Sequence, residues 1–361
     1  AEGFAQGLLA LERNWRGPLI SNEGVDTTLL QFQAMEKAAT PQLKLNWRFQ
    51  QALYRAYYDA TIRARLISET LQEQRAYEQL RRAKSVGSLK ALNLAEAALA
   101  PPEVRPAADW RARVFELAEA LFQSIHMQLS VKKYQAIAIR RGANLDLIDF
   151  PLNNAQWLRE RFAEIRGMDT EEERLRRIDE ILNWTNPGPG GFYDDLGNPT
   201  MEPHLVRGMS YAEDPAFLHS PFAGFGGSMF DKPPQATTRI SSARHEEVLN
   251  DQSLQMVYHN LDKHAHYRLR IVYGNEHLSS SKVLVKLVAN GRYVIHPFMK
   301  RDRSQRPVEF DVPPQATARG ELRLTWSRPT GLGGNGRGVQ VAEVWLIRDQ
   351  DDSPQESAGS P

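Results

Sequence analysis

One segment limits what this chain can fold into more than any other: Asn186-Pro187-Gly188-Pro189-Gly190-Gly191. Its prolines lack the backbone N–H that a helix interior or a central strand needs, and its glycines lose the most entropy on ordering. Neither element passes through it, and the apolar pattern changes across it. Over residues 29–184 apolar side chains recur at steps of three and four. Leu45, Phe49, Leu53, Ala56 and Ala60 form one stripe that Ile67 and Leu71 continue, with Arg and Glu between. That spacing predicts one long amphipathic helix over residues 42–84. From about residue 255 the period is two, as Tyr267, Leu269, Ile271 and Tyr273 alternate with His266, Arg268 and Arg270. The expected fold class is α+β with two domains: an N-terminal all-α helical domain, then a C-terminal antiparallel β-sandwich (jelly roll).

Punctuation places the elements. Val86-Gly87-Ser88 stops the long helix, 89–99 restarts as an alanine-rich one, and Pro101, Pro102 and Pro106 break the chain. Asp109 is expected to cap a helix whose apolar face holds Trp110, Val114, Leu117, Leu121 and Ile125, with His126 as a core histidine. Helices follow over 154–165 and 170–182, the latter opening on a capping box of Thr170 and Glu173. In the second half Val283, Val285 and Leu287 precede Asn290-Gly291, a strong hairpin signal, and then Tyr293 and Ile295. Val308 and Phe310 suggest a short strand, Leu322, Leu324 and Trp326 another, and residues 339–347 a last one that is apolar on both faces. The boundaries are 1–185 helical, 186–240 an ordered Pro/Gly-rich connecting loop, 241–348 β-sandwich and 349–361 a disordered tail.

Composition excludes whole classes of chemistry. There is no cysteine, so disulfides, thiolate zinc sites, iron–sulfur clusters and cysteine nucleophiles are absent. Lys plus Arg number 45 against 44 Asp plus Glu, which gives no global attraction to nucleic acid or anionic lipid. No apolar run reaches the roughly 18–20 residues of a membrane span. No nucleophile elbow, zincin helix or Walker loop occurs, and the glycine run 331–338 lies between strands, as a hairpin loop and not a nucleotide site. We therefore expect no nucleotide or redox cofactor and no nucleic-acid partner. The chain opens Ala1-Glu2-Gly3, which reads as a processed protein or a piece of a longer one.

The closing strands, Glu321-Leu-Arg-Leu-Thr-Trp326, a glycine-rich turn, then Val341-Ala-Glu-Val-Trp-Leu-Ile347, resemble those of galactose-binding-like jelly-roll modules over about residues 240–348. The stretch from Trp184 to Pro199 makes the whole chain similar to the C-terminal region of large uncharacterised secreted bacterial proteins with a glycosidase-like build. The resemblance implies a secreted or periplasmic protein, a polysaccharide or oligosaccharide partner, a structural calcium in some members, and a missing N-terminal part of the same polypeptide. It carries no catalytic residue over, and none is assigned.

The loop 190–198 holds the leading site candidates. Asp194 and Asp195 with Asn198 offer the oxygen donors that calcium takes from flexible loops; the alternative is that Asp194 caps a turn while Phe192 and Tyr193 plug a seam. Adjacent carboxylates make a poor glycosidase pair, whose members stand roughly 5–9 Å apart across a bond. Sugars stack on aromatic faces, so Phe192, Tyr193, Tyr211, Phe222 and Phe225 are candidate ligand-binding residues, with His204 in the same loop and Arg337 at the tip of the glycine run. Tyr258, Tyr273 and Tyr293 are further exposed candidates, whereas Trp326 and Trp345 sit inside strand patterns and read as core. His264 and His266 read as a solvated strand entry, and Glu69 as one half of an exposed Arg–Glu pair or a cleft carboxylate.

Three functions fit these residues. The first is a non-catalytic, carbohydrate-recognising accessory region of a secreted polysaccharide-processing protein. The second is a polysaccharide hydrolase or lyase with a cleft between the domains, using Asp194, Asp195 and His204. The third is a structural or protein-interaction module presenting the long helix.

Overall fold

The computed structural model describes residues 2–14, 19–102, 107–139, 142–210, 212–225, 239–274, 283–301, 306–332 and 336–349. Tyr211 and the tail beyond Asp349 lie outside them. The chain divides into two compact units, Ala1–Ile178 and Asp179–Pro361, the first helical and the second built on antiparallel sheets.

The helical unit contains α1 (Glu2–Arg13), α2 (Gly24–Ala38), α3 (Pro41–Lys44), α4 (Trp47–Arg81), α5 (Ala83–Val86), α6 (Ser88–Ala98), α7 (Ala108–Ile125), α8 (Val131–Tyr134) and α9 (Ala155–Arg166); α10 (Glu171–Leu182) leads into the second unit. The stripe expected over 42–84 is interrupted at Asn46, whose side chain accepts hydrogen bonds from the Arg48 and Phe49 amides and so starts α4 afresh. Phe49, Leu53, Ala56, Tyr57 and Ala60 are buried in one core with Phe32 of α2 and Leu117 and Leu121 of α7. Burial of each large apolar side chain contributes roughly 1.5–3 kcal/mol. Glu69 is no cleft carboxylate: it pairs with Arg65 and accepts the Leu152 amide at 2.6 Å, tying α4 to the 148–152 segment. Gly87, at φ +89°, ends α5 where only glycine turns without strain. Thr170 Oγ1 accepts the Glu173 amide at 3.2 Å, so α10 is capped there. Asp109 is not a cap, because α7 already begins at Ala108 after a left-handed Ala107, and its carboxylate sits in the first turn. His126 is exposed, not core: it ends α7 in the left-handed conformation, which swings its side chain off the apolar face.

The described residues of the second unit form ten strands: β1 (Phe192–Asp195), β2 (Phe222–Phe225), β3 (Arg244–Glu247), β4 (Leu254–Tyr258), β5 (Tyr267–Tyr273), β6 (Val285–Ala289), β7 (Tyr293–Met299), β8 (Val308–Val312), β9 (Leu322–Ser327) and β10 (Gln340–Arg348). One sheet runs β2-β3-β10-β5-β8 with β1 also on β10; the other runs β4-β9-β6-β7. Their inward faces share one core, including Leu269, Ile271, Val344 and Leu346 from the first and Met256, Leu287, Leu324 and Trp326 from the second. Asn290 and Gly291 turn the β6–β7 hairpin at φ 50° and 67°, and Asn290 also bonds to Ala316 and Arg323.

Two stretches expected as connecting loop are strands. β1 pairs with β10 from Phe192↔Leu346 to Asp195↔Glu343, and β2 pairs with β3. β10 carries β5 along one edge and divides the other between β3 and β1. A second apolar layer, Trp184, Tyr193 and Trp345 with Val272 and Ala342, lies on its opposite face, which accounts for its two-sided hydrophobicity.

Candidate functional site

Strand β3 reads Arg244-His245-Glu246-Glu247, and its last three residues are buried. Burying charge is costly unless it is paired, so each must be accounted for. Glu247 is met by Arg337 and by Gln340 Nε2 at 3.0 Å, and the His245 ring stands 3.8 Å away. Burial alone would raise the Glu247 carboxyl, but His245 and Arg337 outweigh it and hold it at about 2. Arg301, lowered to about 10 by burial, donates to Gln340 Oε1 and the Gly274 carbonyl. Two glycines make room for the imidazole: a Cβ on Gly224 would stand 2.6 Å from His245 Nε2, and one on Gly274 2.8 Å from its Cβ. Arg337 is therefore an ion-pair partner of Glu247, its guanidinium lying over the Phe222 ring as well.

Residues on β1 separate by strand alternation. Asp194 faces the second sheet: its carboxylate accepts the Tyr258 hydroxyl at 3.1 Å and the His204 amide at 3.2 Å, and both oxygens lie 3.0 Å from His204 Nδ1. The His204 ring stacks on Tyr258 with centroids 4.4 Å apart, and Phe192 meets it edge-on. Asp195 turns the other way, to Arg244 and Asn198, each at 3.1 Å. Burial pushes the Asp195 carboxyl up, against the pull of Arg244. Beside it Glu343, fully buried, accepts hydrogen bonds from Tyr193 at 2.8 Å, Arg239 at 2.7 Å and Ser242 at 2.6 Å. The calcium set of Asp194, Asp195 and Asn198 thus fails to converge, since neighbouring strand residues point to opposite faces. Among the described residues no three His, Asp or Glu side chains could hold a metal ion. Asp194 and His204 do meet, but Asp195 is not with them.

The open space lies elsewhere. Glu202 Oε2 accepts the Gly197 amide at 2.8 Å, and Oε1 lies 3.0 Å from Arg207 as an ion pair without hydrogen-bond geometry. The His204–Asp194 clamp and the backbone bonds of 204 and 206 to β4 fix the segment between them. Asp214 accepts three amides, from Leu218, His219 and Ser220, which folds the following loop and keeps its carboxyl below the usual range in spite of burial. Between this loop and β3 is a pocket of about 240 Å³, whose lining includes the apolar Leu205, Met209 and Phe217 together with Arg207, Asp214 and Glu246. Glu246 is 4% exposed, and its Oε2 has no hydrogen-bond partner among the described residues. Burial, then Glu202, push its carboxyl up to about 8, with Arg207 pulling the other way.

Of the residues singled out in the sequence, Phe222 adjoins this pocket through Phe217, whose ring centroid is 4.8 Å away. Phe192 packs on the core and Tyr193 on Trp345, so neither is an exposed platform. Phe225 ends β2. Tyr258 and Tyr273 are core residues, because odd-numbered positions of β5 and even-numbered ones of β4 face inward. Glu246, Arg207 and Asp214 escaped sequence reasoning; the one available signal was a run of four polar residues followed at once by Val248 and Leu249.

No protein-family model and no curated protein matches the chain. Among solved structures, the ANX1 ectodomain from Arabidopsis thaliana is 11% identical, over 44% of this chain and 41% of that one, with a TM-score of 0.31. A family GH115 4-O-methyl-α-glucuronidase with specificity for decorated arabinogalactans is 10% identical, over 90% of this chain and 42% of that one, with a TM-score of 0.25. The chain spans about two-fifths of the length of each. At these scores neither likeness bears on the chemistry of the pocket.

Proposed function

We propose that the β unit binds a saccharide non-catalytically, one sugar residue seated in the pocket between the 205–221 loop and β3, as the accessory region of a secreted or periplasmic polysaccharide-processing protein. The observation that carries this is a lining that combines apolar side chains, Phe217 and Met209, with polar ones, Glu246 and Arg207. A pyranose combines the same two kinds of surface: a C–H face that packs on an aromatic and hydroxyls that need donors and acceptors. The pocket's volume suits one such ring. A non-catalytic role fits the commitments of the carboxylates, since Asp214 is occupied by three amides and Glu202 by an amide and Arg207, leaving Glu246 without the second free carboxylate that glycoside hydrolysis uses. The long helix gives less to a protein-contact reading. Its first half is core, and Leu71 is its one large apolar residue among the exposed ones described.

Affinity electrophoresis through gels containing plant, algal and bacterial polysaccharides tests this. Retardation by one class without release of reducing ends, weakened by Phe217→Ala, is the expected result. Release of reducing ends by the chain would replace binding with hydrolysis, and mobility unchanged in every gel would overturn the reading.

A further inference from the structure

Charge around the pocket is unbalanced. Glu246 and Asp214 line it, Glu202 acts on Glu246 from behind, and the one guanidinium among them, Arg207, is already paired with Glu202 at 3.0 Å. Asp214 contributes field but no free acceptor, its oxygens being taken by the loop amides. Glu246 is the opposite case: it lines the pocket, is 4% exposed, and its Oε2 has no hydrogen-bond partner among the described residues. The strand neighbours in register with it, Ala223 on β2 and Val341 on β10, bring no charge, so the groups that act on it are Glu202, Arg207 and Glu247, with Asp214 also on the pocket lining. A pocket ligand that presents a hydrogen-bond donor meets a carboxyl whose Oε2 has no partner among the described residues, and beside Glu202 and Asp214 the field favours a donor that is positively charged.

Resting on the saccharide reading above, we propose that the pocket selects a sugar bearing a protonated amino group, its ammonium set against Glu246 and its ring against Phe217. An ammonium supplies up to three donors, and Glu246 Oε2 has none among the described residues. A uronic acid meets the reverse arrangement, two carboxylates and a guanidinium already committed. A neutral sugar can hydrogen-bond to Glu246 through its hydroxyls in either protonation state, but it brings no charge to balance the ionised carboxylate. Binding of the amine therefore carries a proton balance: Glu246 gives one proton to the buffer, the ammonium keeps its own, and the pair formed is neutral.

Isothermal titration of the full chain at pH 6.5 with glucosamine, galactosamine and mannosamine, the parent hexoses, and glucuronate and galacturonate tests this in two buffers of different ionisation enthalpy. The expected result is one amino sugar bound at least about tenfold more tightly than its parent hexose, with the buffer dependence of one released proton. Glu246→Gln removes both the preference and the proton release; the buffer dependence of the unmodified chain reads the same linkage if that variant fails to fold. Equal binding of amino sugar and hexose, or a uronic acid bound most tightly, overturns amine selection and leaves saccharide binding standing. Binding of none of these sugars overturns amine selection, and unchanged mobility in the polysaccharide gels then overturns saccharide binding with it.

Discussion

Replacing Glu246 with Gln stabilises the protein at high pH and leaves it unchanged at low pH. In the folded chain this carboxyl keeps its proton to about pH 8, because burial and then Glu202 disfavour its charge, whereas the unfolded chain loses it near 4.5. Unfolding therefore releases a proton between those values, so the native state grows less stable across that window as pH rises and levels off above it. Glutamine has the same shape and does not titrate. At pH 4 the two proteins should match. By pH 7 the variant should be ahead by about 3 kcal/mol, and above pH 8 by at most about 5 kcal/mol, less whatever water entering the pocket returns to the carboxylate. Urea unfolding of both proteins at pH 4, 7 and 9 measures the difference, and ¹³C titration of the Glu246 carboxyl gives its midpoint directly. A constant difference across pH, or a midpoint below about 5.5, would refute the burial argument on which the pocket's chemistry rests.

Two further outcomes follow from the buried charges around β3 and β10. Glu343→Gln removes the carboxylate that faces Arg239 at 2.7 Å, and should cost about 3 kcal/mol because a buried guanidinium loses its counter-charge; the double variant with Arg239→Leu should recover more than half of that in the same urea measurement. Gly224→Ala drives a methyl group to 2.6 Å from the buried His245 ring, and a loss of about 1–3 kcal/mol is expected; an unchanged urea midpoint would mean the ring is free to move.

How much of this was legible depends on where each residue's partner lies. Thr170 and Glu173 are three apart, and Asn290 and Gly291 adjacent, so the cap and the hairpin are written locally. Leu322, Leu324 and Trp326 follow the period of a half-buried strand and are core. β1, β2 and β3 broke the rule that served elsewhere. They are four residues each, and β1 and β3 are rich in charge; the partner of β1 lies some 150 residues along the chain, and β3 buries polar side chains where alternation would place apolar ones. The pocket was hidden for the same reason, since Glu246 differs from a surface glutamate only through the loop that folds over it.

Those buried charges do work that apolar residues would not. β10 is hydrophobic on both faces, so a strand laid beside it gains nearly as much burial in one register as in the next. A shift of β1 by one residue would turn Asp194 away from Tyr258 and His204 and leave both without their carboxylate partner. The correct register meets every one of these groups with a partner. Because Glu202, His204 and Arg207 follow directly from β1, the pairing that fixes the strand also fixes the rim of the pocket. The costly polar layer thus serves the site by specifying where β1 ends, whatever its net contribution to stability.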